Sequence, residues 1–177
     1  MARSMPVIAT QSPGNYFTGA LWNASVKALG DFYGAVPRFR GYQATAQSLA
    51  NNTWTNVTLD TEEYDSDNGH STTVSSSRYT VQVAGTYLIV GSIGIVANAT
   101  GNRGLRITVN GNAINGSFVK TGSPDSTGSA GLVTAASHVC AVGDYIEIQA
   151  HQTSGSALNT NAAGDVACSM TVQWIAG

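Results

Sequence analysis

The chain has 177 residues, enough for one domain with a hydrophobic core and a short appendage. Charged residues make up 10% of it, against about 25% in an ordinary soluble domain, and the formal net charge is −2. A nucleic-acid partner normally requires a lysine and arginine patch, and no such run exists, so we exclude that class. No stretch approaches the roughly 18 apolar residues of a membrane span, and the first residues lack the apolar centre of an export signal.

Residues 1–40 differ from the remainder and are predicted to form an N-terminal anchoring arm with a short helix. Thr18 is a candidate N-cap, and Gly30 is placed to end the helix after about Leu29. A helix of about twelve residues is marginal alone in water, so it needs a surface on which to pack. Four apolar side chains recur at spacings of four, three and four, share one stripe and are predicted to anchor the arm: Trp22, Val26, Leu29 and Tyr33.

From about residue 39 onward the hydrophobic pattern has a period of two, which is typical of β-strands, and residues 41–177 are predicted to form the second domain. Leu105, Ile107 and Val109 alternate with polar residues, and the following Asn110-Gly111 pair predicts a type I′ hairpin turn. Further alternating runs follow near residues 146–150 and 168–174. Short strands at this spacing predict an all-β, antiparallel jelly-roll sandwich.

One predicted strand, residues 86–96, is apolar on both faces. A strand buried on both sides has no solvent face, so a second layer must cover it. A sister subunit is the simplest cover, and the N-terminal arm is the alternative. Gly91 and Gly94 would permit close approach of backbone or bulky side chains to this strand.

The run from Arg78 to Val90 resembles the hallmark of the tumour-necrosis-factor/complement globular-head jelly roll. In that superfamily an aromatic-containing strand leads through an x-Gly-x-Tyr turn into an apolar strand. The run Leu105–Gly111 resembles its next strand and hairpin, Val142–Ile148 resembles its late Gly-Asp turn, and the closing strand ends in Trp174. These features lie in the expected order from residue 39 to residue 177.

Within that superfamily, Asn51–His70 and Gly101–Arg106 are similar to versions encoded by tailed phages and prophages, especially of actinobacteria. Gly19–Phe32 is similar to the short helix that precedes these domains in phage structural proteins. The resemblance implies a homotrimer on a virion, with the inner sheets meeting at a three-fold axis. The predicted trimer interface comprises Tyr87, Ile89, Gly91, Ile93, Ile95 and Trp174.

The densest polar cluster lies between residues 60 and 70. Hard oxygen ligands this close could hold Ca²⁺, but the spacing fails the EF-hand template because Ser76 stands where a bidentate Glu belongs. The alternative is a solvated loop whose side chains cap turns through local hydrogen bonds. We expect no metal ion or other cofactor, and name as weak calcium candidates Asp60, Glu62, Asp65 and Asp67.

Five further residues have roles that the sequence leaves open. Trp54 follows a polar turn, and either stacks on a sugar ring or packs in the core at the start of a strand. Arg103 and Arg106 are candidates to pair with carboxylates of the acidic segment. Cys140 and Cys168 either form a disulfide or lie buried as two free thiols, and the latter is favoured.

The sequence predicts no catalytic residues, because it carries no nucleophile motif and its three histidines are scattered. Our principal hypothesis is a virion structural protein of a tailed phage, displayed on the particle surface at the tail tip, baseplate or fibre, or as a capsid decoration or head fibre. The arm would bind other virion proteins, and the jelly roll is a candidate for contact with a host cell-surface glycan. The alternative is a free lectin-like or cytokine-like binding module.

Overall fold

The computed structural model describes residues 4–8, 10–14, 16, 18–122, 129–162 and 164–177. An N-terminal helical segment consists of α1 (Gly19–Leu21), a π-helical stretch (Trp22–Lys27) and α2 (Ala28–Gly34). The Thr18 Oγ1 accepts a hydrogen bond from the Leu21 backbone N–H at 3.2 Å, which confirms the predicted cap.

The helix does not end at Gly30, and this expectation was wrong. It continues to Gly34 because Phe32, two residues after Gly30, is buried against the ring of Trp174. Packing on the sandwich therefore outweighs the low helix propensity of one glycine, which costs about 1 kcal/mol relative to alanine.

Thirteen strands follow within the described residues. In chain order they are β1 (Arg38–Tyr42), β2 (Ser48–Leu49), β3 (Thr55–Asn56), β4 (Thr61–Asp65), β5 (Arg78–Thr80), β6 (Gly85–Ile95), β7 (Asn102–Val109), β8 (Asn112–Ala113), β9 (Val119–Gly122), β10 (Ala130–Cys140), β11 (Tyr145–Gln152), β12 (Leu158–Asn159) and β13 (Ser169–Ala176). A 3₁₀ turn, Gly164–Val166, precedes the last strand.

The strands form two main antiparallel sheets. A five-stranded sheet has the order β10-β6-β13-β1-β4. A six-stranded sheet contains β3-β11-β7-β8, with β5 paired to β11 and β9 paired to β7. The short strands β2 and β12 pair separately. Strands distant in sequence are thus neighbours in space, as in a jelly roll, which confirms the predicted all-β sandwich.

The core lies between the two main sheets and follows the period of two. Tyr87, Ile89 and Ile93 of β6 point into it, as do Ile146 and Ile148 of β11. The hairpin between β7 and β8 turns at Asn110 and Gly111, with φ values of 52° and 78°. These left-handed values are those of the predicted type I′ turn.

The jelly roll begins slightly earlier than predicted. Strand β1 starts at Arg38, three residues before the expected domain boundary at residue 41. Phe39 of this strand is fully buried and stacks on Tyr79 at 5.3 Å. The domain core therefore includes residues that the sequence assigned to the arm.

Candidate functional site

The outer face of the five-stranded sheet carries an unusual number of exposed aliphatic side chains. In β6, Leu88 and Val90 alternate with the buried Tyr87 and Ile89 and point away from the core. Strand β10 adds Val133, Ala135 and Val139 on the same side. The β13 residues aligned with Leu88 and Val90 are the polar Gln173 and Thr171, and Ile175 lies at the bulge of β13. We call this surface the assembly face and define it by Leu88, Val90, Val133, Ala135, Val139 and Ile175.

A polar groove borders the assembly face on the same side of the sheet, with a volume of about 550 Å³. Arg40 of β1 lies in it and donates to Glu63 Oε2 at 2.5 Å and to Thr171 Oγ1 at 3.3 Å. The hydroxyls of Ser92 and Ser169 are hydrogen-bonded at 2.8 Å. The groove is therefore lined by polar groups that are already paired with one another.

The predicted trimer-interface residues lie elsewhere. All six belong to the interior of the single chain, where they pack between the two sheets and cannot contact a second copy: Tyr87, Ile89, Gly91, Ile93, Ile95 and Trp174. The set of β6 residues predicted for the interface is the set that faces the core of the chain. In a strand that is apolar on both faces, the pattern alone does not tell which alternate set faces the core.

Gly91 and Gly94 do permit close approach, but the approaching groups belong to the same chain. A Cβ on Gly91 would lie 2.6 Å from Ile148 Cγ2 across the core, and one on Gly94 would collide with the Val166 carbonyl. The 3₁₀ turn thus covers the far end of β6, and the assembly face remains exposed at Leu88.

The N-terminal arm packs on one end of the sandwich through Phe32, which lies outside the predicted stripe, and through Tyr33 of that stripe, whose ring lies 6.0 Å from that of Trp174. Phe32 is 3% exposed, and its ring meets that of Trp174 edge-on at 5.0 Å. Trp22 and Tyr33 of the predicted stripe are 48% and 58% exposed. The remaining stripe residues, Val26 and Leu29, are half-buried. The arm therefore docks on its own domain and leaves aromatic surface outward.

The acidic segment is organised by hydrogen bonds within the chain. Asp60 accepts the backbone N–H groups of Ala44 and Thr45 at 2.6 and 2.9 Å. Asp65 accepts those of Asp67 and His70, at 3.3 and 2.9 Å. Among the described residues, no group of three or more His, Cys, Asp or Glu side chains is arranged to hold a metal ion. Asp60 and Asp65 cap turns, as the alternative interpretation held.

His70 ties this segment together. Its Nδ1 lies 2.7 Å from Glu62 Oε1 and its Nε2 lies 3.0 Å from the Ser76 carbonyl oxygen, while the ring packs on Phe39 at 4.7 Å. The side chain has no exposed surface. This arrangement is structural, because both ring nitrogens face acceptors of the same loop.

Neither arginine near β7 pairs with the acidic segment, so that expectation was wrong. Arg103 is fully buried, and its two terminal nitrogens donate to the carbonyls of Asn98, Thr100 and Asn102. Arg106 donates from Nε to Gln149 Oε1 at 2.7 Å. The register of β7 with β11 places Arg106 on the six-stranded sheet, away from β4.

A second surface site lies on the outer face of the six-stranded sheet, which is opposite the assembly face. Trp54 is half-buried there and meets the rings of Phe118 and His151 at centroid distances of 5.7 and 4.9 Å. These rings surround a cavity of about 120 Å³, which we call the Trp54 pocket. It is also lined by Gly104, Lys120 and Thr153. The sequence singled out Trp54, but not the residues around it.

The two cysteines are free and buried, as the favoured alternative held. Burial raises the pKa of each thiol to about 11, and the negative charge of Asp144 adds to this effect at Cys140. Thiolates are therefore scarce at neutral pH, and both side chains act as small hydrophobic groups.

Comparison with known proteins shows the fold. The globular domain of zebrafish complement 1qA matches with a TM-score of 0.58 at 13% identity, over 78% of this chain and 97% of that domain. Murine APRIL matches with a TM-score of 0.58 at 12% identity, over 77% of this chain and 98% of the APRIL chain. Eiger TNF from S. frugiperda matches with a TM-score of 0.56 at 10% identity, over 80% of this chain and 95% of the Eiger chain.

No family model and no curated protein matches the sequence. The likeness to solved structures therefore establishes the tumour-necrosis-factor/complement jelly-roll fold, and identities of 10–13% carry no function with it. Within the described residues, no helix is both long and apolar enough to cross a membrane.

Proposed function

We propose that this protein is a non-catalytic structural module in which three copies associate through the assembly face. The observation that carries the proposal is the set of aliphatic side chains on β6, β10 and β13 that point away from the core. Val133 and Val139 are 64% and 74% exposed, and Leu88, on β6 between β10 and β13, is 39% exposed. Burial of such groups contributes roughly 25 cal/mol per Å² of apolar surface.

The chemistry of this face suits contact between identical copies. The small side chains of Ala135 and Ser137 lie between Val133 and Val139 on the same side of β10 and permit close approach of a flat neighbour. Of the charges nearby, those of Arg40 and Glu63 neutralise each other, and Asp165 is the one without an ion pair among the described residues. Little uncompensated charge would therefore lose its hydration when the face is buried.

We propose further that the trimer is part of a phage particle. The support is the resemblance of Asn51–His70 and Gly101–Arg106 to phage-encoded proteins. The arm agrees with this role, because Phe32 fixes the helix to the domain while Trp22 and Tyr33 leave aromatic surface for other virion proteins. Immunoelectron microscopy of particles from cells that carry the gene tests this location, and unlabelled particles would contradict it.

The test of assembly compares two matched substitutions in the full-length protein. We expect mass photometry of the parent chain to give a mass near three times 18.2 kDa. Val133→Asp, on the assembly face, places a charge at the proposed interface and should yield monomers. Val142→Asp is the control, because Val142 is 60% exposed, close to the 64% of Val133, but lies in the turn between β10 and β11.

A monomeric parent at micromolar concentration would overturn the proposal. Equal loss of assembly in both variants would also contradict it, because the effect would then not belong to the face. Circular dichroism of each variant shows whether the sandwich is retained, and Leu88→Asp provides a second probe at the centre of the face.

A lectin-like binding module is the second candidate function, and a specific observation favours it. The Trp54 pocket combines aromatic walls with cationic groups on a surface that the proposed assembly leaves exposed. The two functions are compatible in one molecule, because they use opposite sheets.

A further inference from the structure

The walls of the Trp54 pocket come from four strands or their flanking loops. Trp54 precedes β3, Phe118 precedes β9, His151 belongs to β11 and Gly104 to β7. The Trp54 and Phe118 rings stand at 76° to each other, and the His151 ring is tilted by 34° from the indole. Non-parallel rings of this kind form a corner in which a small ring can rest.

Gly104 forms the floor of this corner. A Cβ at this position would lie 3.2 Å from Trp54 Cη2, 3.2 Å from Phe118 Cε2 and 3.5 Å from His151 Cβ. These distances are at or below ordinary van der Waals contact, so any side chain here would occupy the space that the rings enclose. The absence of a side chain at residue 104 is what keeps the pocket open.

Positive charge is concentrated around the pocket. Three of the chain's eight lysines and arginines gather here, namely Arg103, Lys120 and Arg106. Lys120 is exposed at the rim, while the Arg106 guanidinium carbon lies 4.1 Å from the centre of the Trp54 ring. Within the described part of the chain, none of the three takes part in an ion pair.

Arg103 lies behind the floor and is the most unusual of these groups. The side chain is fully buried, and its Nε has no hydrogen-bond partner among the described residues. A buried guanidinium without a carboxylate partner leaves a positive field that is only weakly screened. An anion bound in the pocket would be stabilised by that field.

Carboxylates are absent from the described residues that line the pocket. On the same face of β11, Glu147 accepts hydrogen bonds from Ser77 at 2.7 Å and Arg78 at 3.4 Å, so its charge is already compensated. Glu147 therefore does not neutralise the lysine and arginines around Trp54, and the pocket keeps its positive potential.

We propose that the Trp54 pocket binds an acidic sugar unit, with the apolar face of the sugar ring against the exposed Phe118 ring and the edge of the Trp54 indole, and its carboxylate toward Lys120. Aromatic rings provide flat apolar surface for a pyranose, and the cations select for the carboxylate. A volume of about 120 Å³ admits part of one ring, which fits a single terminal unit of a longer saccharide. This inference rests on the lectin-like function proposed above, for which it names the ligand class, and it does not depend on the proposed assembly.

The test is a titration of the full-length protein with glucuronate, followed by NMR of the indole N–H signals. The chain has three tryptophans, so Trp54 is read against Trp22 and Trp174 in the same spectrum. We expect the Trp54 signal to shift with glucuronate and at least tenfold weaker binding of glucose. Gly104→Ala should weaken glucuronate binding at least tenfold, and Lys120→Gln roughly fivefold.

The matched control is Gly131→Ala, which adds the same methyl group on the opposite sheet, where nothing lies within 4 Å of the new Cβ. It should leave glucuronate binding unchanged. Equal affinity for glucose and glucuronate would overturn the requirement for charge, and acetate binding as tightly as glucuronate would overturn the requirement for a sugar ring. No shift at 50 mM glucuronate would overturn the site itself.

The pH dependence gives an independent readout. Burial lowers the pKa of His151, and the positive charges of Arg106 and Lys120 lower it further. A bound carboxylate would favour the protonated imidazole, so binding would be accompanied by proton uptake. We expect the affinity for glucuronate to rise as the pH falls from 8 toward 5.5, and His151→Gln to remove this rise.

Because the pocket is complete in one chain, a monomeric Val133→Asp variant should bind glucuronate equally well, which separates this result from the test of assembly.

Discussion

At the scale of single residues, the hydrogen bonds that Asp60 accepts make the stability of the fold depend on pH. Burial tends to raise the pKa of its carboxyl group, but hydrogen bonds from the Ala44 and Thr45 backbones outweigh this effect and leave the pKa below its usual value. The folded state therefore favours the ionised form. Such a group stabilises the fold above the pKa of the unfolded chain, about 3.9, and the contribution disappears as the pH falls through the folded pKa.

We predict that Asp60→Asn lowers the free energy of unfolding at pH 7 and that the difference from the parent shrinks as the pH falls below about 4. Urea denaturation from pH 7 to pH 3 measures this. Asp31→Asn is the control, because Asp31 forms an exposed helical pair with Lys27, and it should change stability little at pH 7. A difference for Asp60→Asn that stays constant over the whole range would contradict the explanation.

At the scale of elements, the helix and the last strand depend on each other. The Phe32 ring packs on Trp174, whose indole N–H donates to the Ala84 carbonyl at 3.2 Å. The helix is too short to be stable alone, and its middle turns are π-helical. This contact therefore holds both the helix and the end of β13 in place.

We predict that Phe32→Ala destabilises the protein by about 3 kcal/mol, the usual cost of removing a buried phenylalanine. Tyr33→Ala removes a neighbouring ring that is 58% exposed and should cost about 1 kcal/mol or less. Chemical denaturation of both variants measures the difference. Similar small losses would mean that the helix detaches easily from the sandwich in solution.

The hydrophobic period of the strands predicted the fold, but it did not determine which side of β6 faces the core. Tyr87 and Ile89 are as apolar as Leu88 and Val90, so burial of either alternate set satisfies the pattern. The decision comes from the register with β13, where Tyr87 lies opposite Trp174 and both are buried. Once an unambiguous strand such as β13 is paired with an ambiguous one, the core face of both is fixed.

The Trp54 pocket shows a second limit of sequence reasoning. Its parts are separated by up to about a hundred residues and meet only because β3, β11, β7 and β9 are neighbours in one sheet. The pairing of His151 with Gly104 opens the floor beside the indole. No local motif encodes that pairing, so Trp54 alone was found, and its two interpretations stayed open.

At the scale of the whole molecule, the proposed trimer makes stability depend on concentration. Association favours the folded state by mass action, so the midpoint of thermal unfolding should rise as the protein concentration increases. Scanning calorimetry from 2 to 200 μM measures this for the parent and for Val133→Asp. We expect the midpoint to rise by several degrees for the parent alone, and a constant midpoint for both would contradict the assembly.

The scarcity of charge has one more consequence for experiments on this molecule. With only 10% charged residues, most of the surface offers little that dissolved ions can screen. The exceptions among the described residues are the acidic segment at residues 60–70 and the cationic cluster around Trp54, and of the two only the cationic cluster would attract an anionic ligand. Added sodium chloride should therefore distinguish the two surfaces. Contacts of the assembly face should persist or become stronger as the ionic strength rises. An anionic ligand that dissociates under the same conditions is bound on the opposite sheet, at the Trp54 pocket.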